Sequence, residues 1–436
     1  MSTPGKRRRI DDDVMPGQSA SVTDSSHPLD LGRHNTFSPL DSQVGSRQSS
    51  WAGTGKSSSR RGISPSRETR WTLKHASPPI LTESYNGSQL LADETIRNKV
   101  MAAMERLSPE EVSGWVPRCL KEEIESDNTL GMQPFDRYAF LDSPCNLSEC
   151  NPILREQLQY ILRKVKQIWK RARTCYQEGR DENAWCQVVI QPLMELALKL
   201  SGNGKMLLQS VQTQAIDSEY LSIDPITMRR LDRKADFTFS YSHEEDGLAA
   251  LYARLRPRNP VVSHTLDAFT SKTAVFSGIQ VKAPYGNRSE AEYQISVFMG
   301  ASLRKKAELA RMAGLSNTTS ALIEPAFVVV GHDWYFYLGY LRPDGAVHLL
   351  KHGSCSTTSV SEVFKILRVL RNVVEYGLEG LEEGGLEAEI GYWGGFLGPV
   401  LERLASEQIL TWEDVGAAML GHGEQILTWE DSYQGS

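Results

Sequence analysis

Large apolar residues recur every three or four positions through the first half of the folded chain and then switch to alternation. Residues 92–107 carry a helical stripe, and Ser108-Pro109-Glu110-Glu111 predicts a second helix start with a Ser cap and Pro in the first turn. Ile153, Leu158, Ile161, Leu162, Val165 and Ile168 define one face of a helix over 152–175, opposite a basic face. A further helical pattern spans 181–200, with Pro192 placed to kink it. The period then changes. Residues 210–216, 235–241 and 274–281 alternate or run β-rich, 288–312 returns to a long helix, and 326–330, 334–341 and 346–350 predict three more strands. Gly331-His332-Asp333 and Pro343-Asp344-Gly345 supply the turns between these last strands. A helix over 359–376 closes the pattern. Helix, three strands, helix and strands in that order make an α/β fold around a mixed sheet.

Composition divides the 436 residues further. Residues 1–90 are rich in Ser and poor in large apolar side chains, too little to offset chain entropy, so disorder is expected there. Within them, Lys6-Arg7-Arg8-Arg9 reads as a nuclear import signal or as a generic basic arm. Residues 91–149 read as a helical preface, 150–380 as the main domain, and 381–436 as an acidic tail. That tail repeats Glu-Gln-Ile-Leu-Thr-Trp-Glu-Asp at 407–414 and 424–431, best explained by a local duplication.

Charge follows the same division. Residues 1–75 hold 12 bases and 7 acids, residues 379–436 hold 12 acids and 1 base, and the middle is balanced at 35 of each. The net charge of −6 therefore says little about the middle, where nucleic acid would have to meet local clusters. Three stand out: Arg163 to Arg173, Arg229 to Lys234, and Arg304-Lys305-Lys306. The plainer reading of each is a solvated helix face.

Several classes are set aside. No apolar run nears the roughly 18–20 residues of a membrane span, and the first residues lack the apolar segment of a secretory signal. Six scattered cysteines without a CxxC pattern argue against a disulfide scaffold or a zinc site and for a reducing compartment. Gly202-Asn203-Gly204-Lys205 lacks phosphate-loop spacing, so no small-molecule cofactor is expected.

The candidate chemistry sits in three places. Asp236 lies at an aromatic, alternating segment. Gln280 and Lys282 share one face of a strand, since residues i and i+2 point the same way. Glu182 opens the helix before the sheet. Carboxylates that hold Mg²⁺ beside a cation suit phosphodiester cleavage. Each residue has a plainer reading: Asp236 paired with Arg233 or Lys234, Lys282 snorkelling at a strand end, Glu182 favoured by the helix dipole. His332 and Asp333 are better explained by turn formation than by an acid–base pair.

The phrases Glu182-Asn183-Ala184-Trp185, Asp232-Arg233-Lys234-Ala235-Asp236, Ser277-Gly278-Ile279-Gln280-Val281-Lys282, Gly331-His332-Asp333-Trp334 and Arg371-Asn372-Val373-Val374-Glu375-Tyr376 occur in an order that resembles the PD-(D/E)XK nuclease superfamily. The resemblance covers roughly residues 150–380 and is closer still to a fungal family of such nuclease-like proteins. It implies a restriction-endonuclease-like αβββαβ core and a Mg²⁺-dependent nuclease acting on nucleic acid, expected to be DNA. Asp236 is then the metal-binding acid, Lys282 the motif lysine and Glu182 the acid of the first helix. Gln280 stands where the superfamily usually has Glu, which removes one negative charge from the site. The alternative it implies is a degenerate nuclease fold kept as a nucleic-acid or protein interaction module. Glu290, Glu292 and Gln294 open the next helix, where superfamily members often carry auxiliary polar residues.

Overall fold

The computed structural model describes residues 65–84, 94–108, 114–130, 138–141, 151–202, 204–256, 261–381 and 391–406. The elements run α1 (Pro65–His75), β1 (Ile80–Ser84), α2 (Glu94–Leu107), α3 (Lys121–Glu125), α4 (Pro152–Gln177), α5 (Glu182–Trp185) and α6 (Gln191–Ser201). They continue with β2 (Met206–Ser210), β3 (Phe237–Tyr241), α7 (Asp246–Leu255), β4 (Val275–Lys282), α8 (Arg288–Met312) and β5 (Ile323–Val330). Strands β6 (Asp333–Leu341) and β7 (Val347–Ser356) precede α9 (Val360–Leu378) and α10 (Gly398–Ser406).

The seven strands form one mixed sheet in the order β1-β7-β6-β5-β4-β3-β2. Strands β2, β3 and β4 make an antiparallel meander, and β5 lies parallel to β4. A parallel neighbour needs a crossover, and α8 supplies it. Helix α6, the meander, α8 and β5 together reproduce the expected αβββαβ order.

Helix α8 is buried on almost every side from Ala291 to Ala310, as a helix enclosed by other elements must be. Gly278 admits its close approach to β4: a Cβ there would meet Ile295 Cδ1 at 2.9 Å and Met299 Sδ at 3.0 Å. That contact fixes the helix against the strand two residues before Gln280. Inside α8, Lys306 is held by Glu324 of β5 and by Ser302, and Glu324 also accepts from Tyr392.

Four expectations need correction. Within the stretch read as disordered, residues 65–84 form α1 and β1, and β1 pairs parallel to β7 with Ile80 opposite Val347. The pairing partner is more than 260 residues away, so nothing local announced it. The predicted strand over 210–216 is a turn, because β2 lies earlier, at Met206–Ser210. The acidic tail contributes core: Tyr392, Phe396, Leu397 and Leu401 are buried. Finally, Arg304-Lys305-Lys306 is no open basic patch. Lys305 and Lys306 are 6% and 2% exposed and engage Glu308 and Glu324.

The helix expected over 181–200 is split by one wide turn, Cys186–Ile190, just before Pro192. Proline lacks the amide proton that would continue the ordinary ladder, so the irregular turn falls there. The Ser108–Glu111 helix start, the basic run at Lys6–Arg9 and both copies of the tail repeat lie outside the described residues, the first except for Ser108 itself.

Candidate active site

The site lies where β3 begins and β4 ends. Asp236 precedes β3, and its backbone N–H donates to Ile279 O at 2.9 Å, so the carboxylate is fixed beside β4. It is 5% exposed and collects three donors. Gln280 Nε2 donates to Oδ2 at 2.6 Å, the Val281 amide donates to the same oxygen at 2.6 Å, and Gln212 Nε2 donates to Oδ1 at 2.9 Å. Burial raises the carboxyl to about 6, with the negative charge of Glu182 adding to the rise. The Val281 and Gln212 donors and the Lys282 ammonium oppose it.

Lys282 reaches the same end of the sheet from the last position of β4. Its Nζ donates to Glu182 Oε2 at 3.0 Å. Glu182 stands in the first turn of α5, whose start is fixed by Asp181 accepting from the Ala184 amide at 2.9 Å. Helix dipole and cap favour a carboxylate there, but the partner lysine comes from 100 residues further along. Beneath these groups lies Cys186, buried, 3.7 Å from Gln212 Nε2, its thiol pushed up by burial and by Asp236 and Glu182.

The four sequence-predicted residues thus form two bonded pairs, Asp236 with Gln280 and Glu182 with Lys282, with Gln280 and Lys282 both at the end of β4. The alternative partners of Asp236 bond other groups: Arg233 bonds Asp232 O and meets Glu290 at 3.7 Å, and Lys234 bonds Thr213 O at 2.9 Å. The auxiliary acids are engaged elsewhere. Glu292 is buried under Arg288 and Tyr337, at 2.7 and 2.6 Å. Gln294 has a buried Oε1 with no partner. His332 Nδ1 meets Thr357 Oγ1 at 2.8 Å instead of Asp333, as expected of turn residues.

Gln212 was missed by sequence reasoning. Its segment alternates polar and apolar residues, which suggested a strand; an amide two residues beyond β2 carries no signal of its own. Ser277, with φ of 65°, marks a kink in β4 opposite the irregular register between Phe237 and Phe239. Thr238 Oγ1 donates to Ser277 O at 2.6 Å and holds that kink four residues before the Val281 amide.

The available donors are all oxygens. Gln280 Oε1 is buried without a partner, and Glu182 uses only one carboxylate oxygen on Lys282. Three donors on Asp236 leave about one lone pair of roughly four. Hard oxygen donors of this kind fit a divalent cation such as Mg²⁺. Among the described residues no group of three or more acidic, His or Cys side chains gathers at one point.

A meander followed by the α8 crossover to a parallel strand, in a mixed sheet flanked by helices, fits an α/β restriction-endonuclease-like fold. A family model described as the PD-(D/E)XK nuclease superfamily matches residues 131–380, and the chain belongs to that superfamily. Comparisons with curated proteins and with solved structures give no match.

Proposed function

We propose that this chain is a Mg²⁺-dependent nuclease that hydrolyses phosphodiester bonds of DNA, within the fungal nuclease-like branch of the superfamily. Asp236, Glu182 and the Gln280 Oε1 hold the cation. Lys282 places its ammonium at the attacked phosphate, where it orients the water and offsets the charge that develops in the transition state. A bound divalent cation supplies further positive charge against the phosphate oxygens. The residues alone prepare the rest: Glu182 holds Lys282 in position, and the Val281 amide and Gln212 aim the Asp236 carboxylate.

The single supporting observation is the unpartnered Gln280 Oε1. A buried amide oxygen without a donor is costly, and a cation beside Asp236 satisfies it. The test is cleavage of plasmid and single-stranded DNA, with and without Mg²⁺, by the wild type, Asp236→Ala and Lys282→Ala. Cleavage confined to the wild type with metal is expected; equal residual cleavage by all three discards the reading.

A second reading has its own observation. Three donors already saturate most of Asp236, and Gln280 brings no charge, as in a degenerate site kept for binding. Undiminished, salt-sensitive DNA binding by all three proteins without cleavage supports that reading. For localisation we propose nuclear import through Lys6–Arg9: alanines there, in a fluorescent fusion, move the signal to the cytoplasm, and an unchanged nuclear signal removes the idea.

A further inference from the structure

From residue 157 to 177 helix α4 carries six bases, Arg163, Lys164, Lys166, Lys170, Arg171 and Arg173, and no acid. Among the described residues only Lys166 enters a salt bridge, with Asp127 at 2.7 Å. The other five are exposed.

Three ordinary explanations fail. The macrodipole favours cations in the last helical turn, and α4 has none there. Pairing along the helix requires acids three or four positions away, and like charges stand there instead, as with Lys166 and Lys170 or Lys170 and Arg173. Packing uses a different face: Leu162, Val165, Ile168, Trp169, Ala172 and Cys175 point into the core. The exposed face thus holds repelling charges that no salt bridge within the described fold neutralises.

The position of this face gives it a direction. Ten residues separate Arg163 from Arg173, about 15 Å along the helix, the rise of about four phosphates of one DNA strand. At the end of α4 the chain turns through Gly179, with φ of 60°, and restarts as α5 at Glu182, the partner of Lys282. A cleft of about 540 Å³ opens beside this turn, lined by Lys170, Arg171, Thr174, Arg180, Gln187 and Val188.

We propose that the exposed face of α4 is a track for the sugar–phosphate backbone of duplex DNA, leading phosphates past Arg180 to the Glu182–Lys282 pair. The track deepens the nuclease reading and rests on it for the choice of DNA among polyanions.

The test measures binding of a fluorescently labelled DNA duplex across a salt series, in metal-free buffer, with Lys282→Ala as the parent so that no cleavage intervenes. The α4 variant combines Arg163→Gln, Lys164→Gln, Lys170→Gln and Arg171→Gln. A charge-matched control combines Arg67→Gln, Lys121→Gln, Arg311→Gln and Arg403→Gln, four exposed bases elsewhere. Each phosphate contact contributes about 0.9 to the slope of log K against log salt, so four lost contacts make it shallower by about three to four. Affinity at low salt drops tenfold or more for the α4 variant and little for the control, with unchanged circular dichroism. Equal losses in both variants, no loss in the α4 variant, or a parent that ignores duplex in favour of acidic peptides overturns the track. Binding that depends on α4 in a protein whose wild type never cleaves upholds the track and removes the nuclease reading alone.

Discussion

Gln280 donates to Asp236, its Nε2 2.6 Å from Oδ2, at the point where a second carboxylate would repel the first. The amide keeps Asp236 paired inside a buried site, and its own Oε1 is left without a donor. One substitution in the motif thus exchanges charge for a stable resting arrangement.

The raised Asp236 carboxyl makes ionisation costly to the fold. Its folded value of about 6 lies above the unfolded 3.8, so below 3.8 both states are protonated and nothing is lost. Between 3.8 and 6 only the unfolded state ionises, and stability falls as pH rises; above 6 the cost, about 3 kcal/mol, is complete. Asp236→Asn mimics the protonated acid, with Gln212 turning its amide to accept. Its unfolding free energy should match the wild type near pH 3.5 and exceed it at pH 7.5, while cleavage is lost. A variant less stable than the wild type at pH 7.5 contradicts this account.

Gln280→Glu tests the exchange directly. Two carboxylates about 3 Å apart do not both ionise readily, so without metal the variant should melt lower than the wild type at pH 7.5. Mg²⁺ should then raise its melting temperature more than it raises that of the wild type, because a ligand that binds only the folded state stabilises it. Thermal scans with Mg²⁺ and with a chelator give the answer; an equal metal effect on both proteins rules out residue 280 as a cation donor.

The Lys282–Glu182 pair is partly open to solvent, with side chains 17% and 36% exposed. Pairs of that exposure contribute at most about 1 kcal/mol. Lys282→Met should therefore leave unfolding by urea nearly unchanged and lower kcat by about 10²–10³, the usual loss for a charge acting in the transition state. A large loss of stability would mark the lysine as structural.

His264 offers a second pH dependence, of opposite sign and away from the site. It is 1% exposed, its ring rests edge-on to Phe298 at 4.5 Å, and neither nitrogen has a partner. Burial lowers it from 6.5 to about 3. Above 6.5 both states are neutral; as pH falls from 6.5 towards 3 only the unfolded state takes the proton, and stability is lost. His264→Leu should flatten the acid limb of stability against pH over that window. An unaltered limb means the imidazole is not held neutral.

Periodicity made most of the central fold legible. The long helix over 288–312 occurs with those bounds, and the strands ending at Tyr241, Lys282, Val330 and Leu341 lie within three residues of their predicted starts and one of their predicted ends. Where reading failed, the cause was long-range. Ile80–Ser84 is a strand only because β7 offers it an edge, and Tyr392 to Leu401 are core only because the body beneath them is apolar. Asp236, Gln280, Lys282 and Glu182 were singled out through their setting in five phrases, whereas Gln212 became visible only from its hydrogen bond to Asp236.

The sequence by itself determined most of the central elements, their order and the residue types at the sheet end, because these depend on local periodicity and on short motifs. Tertiary structure alone decided which charges face one another. It buried Lys305 and Lys306 against acids while leaving the α4 bases open, and it joined Lys282 to a glutamate 100 residues earlier. Charge strength is a property of a residue, but desolvation and pairing are properties of its neighbours.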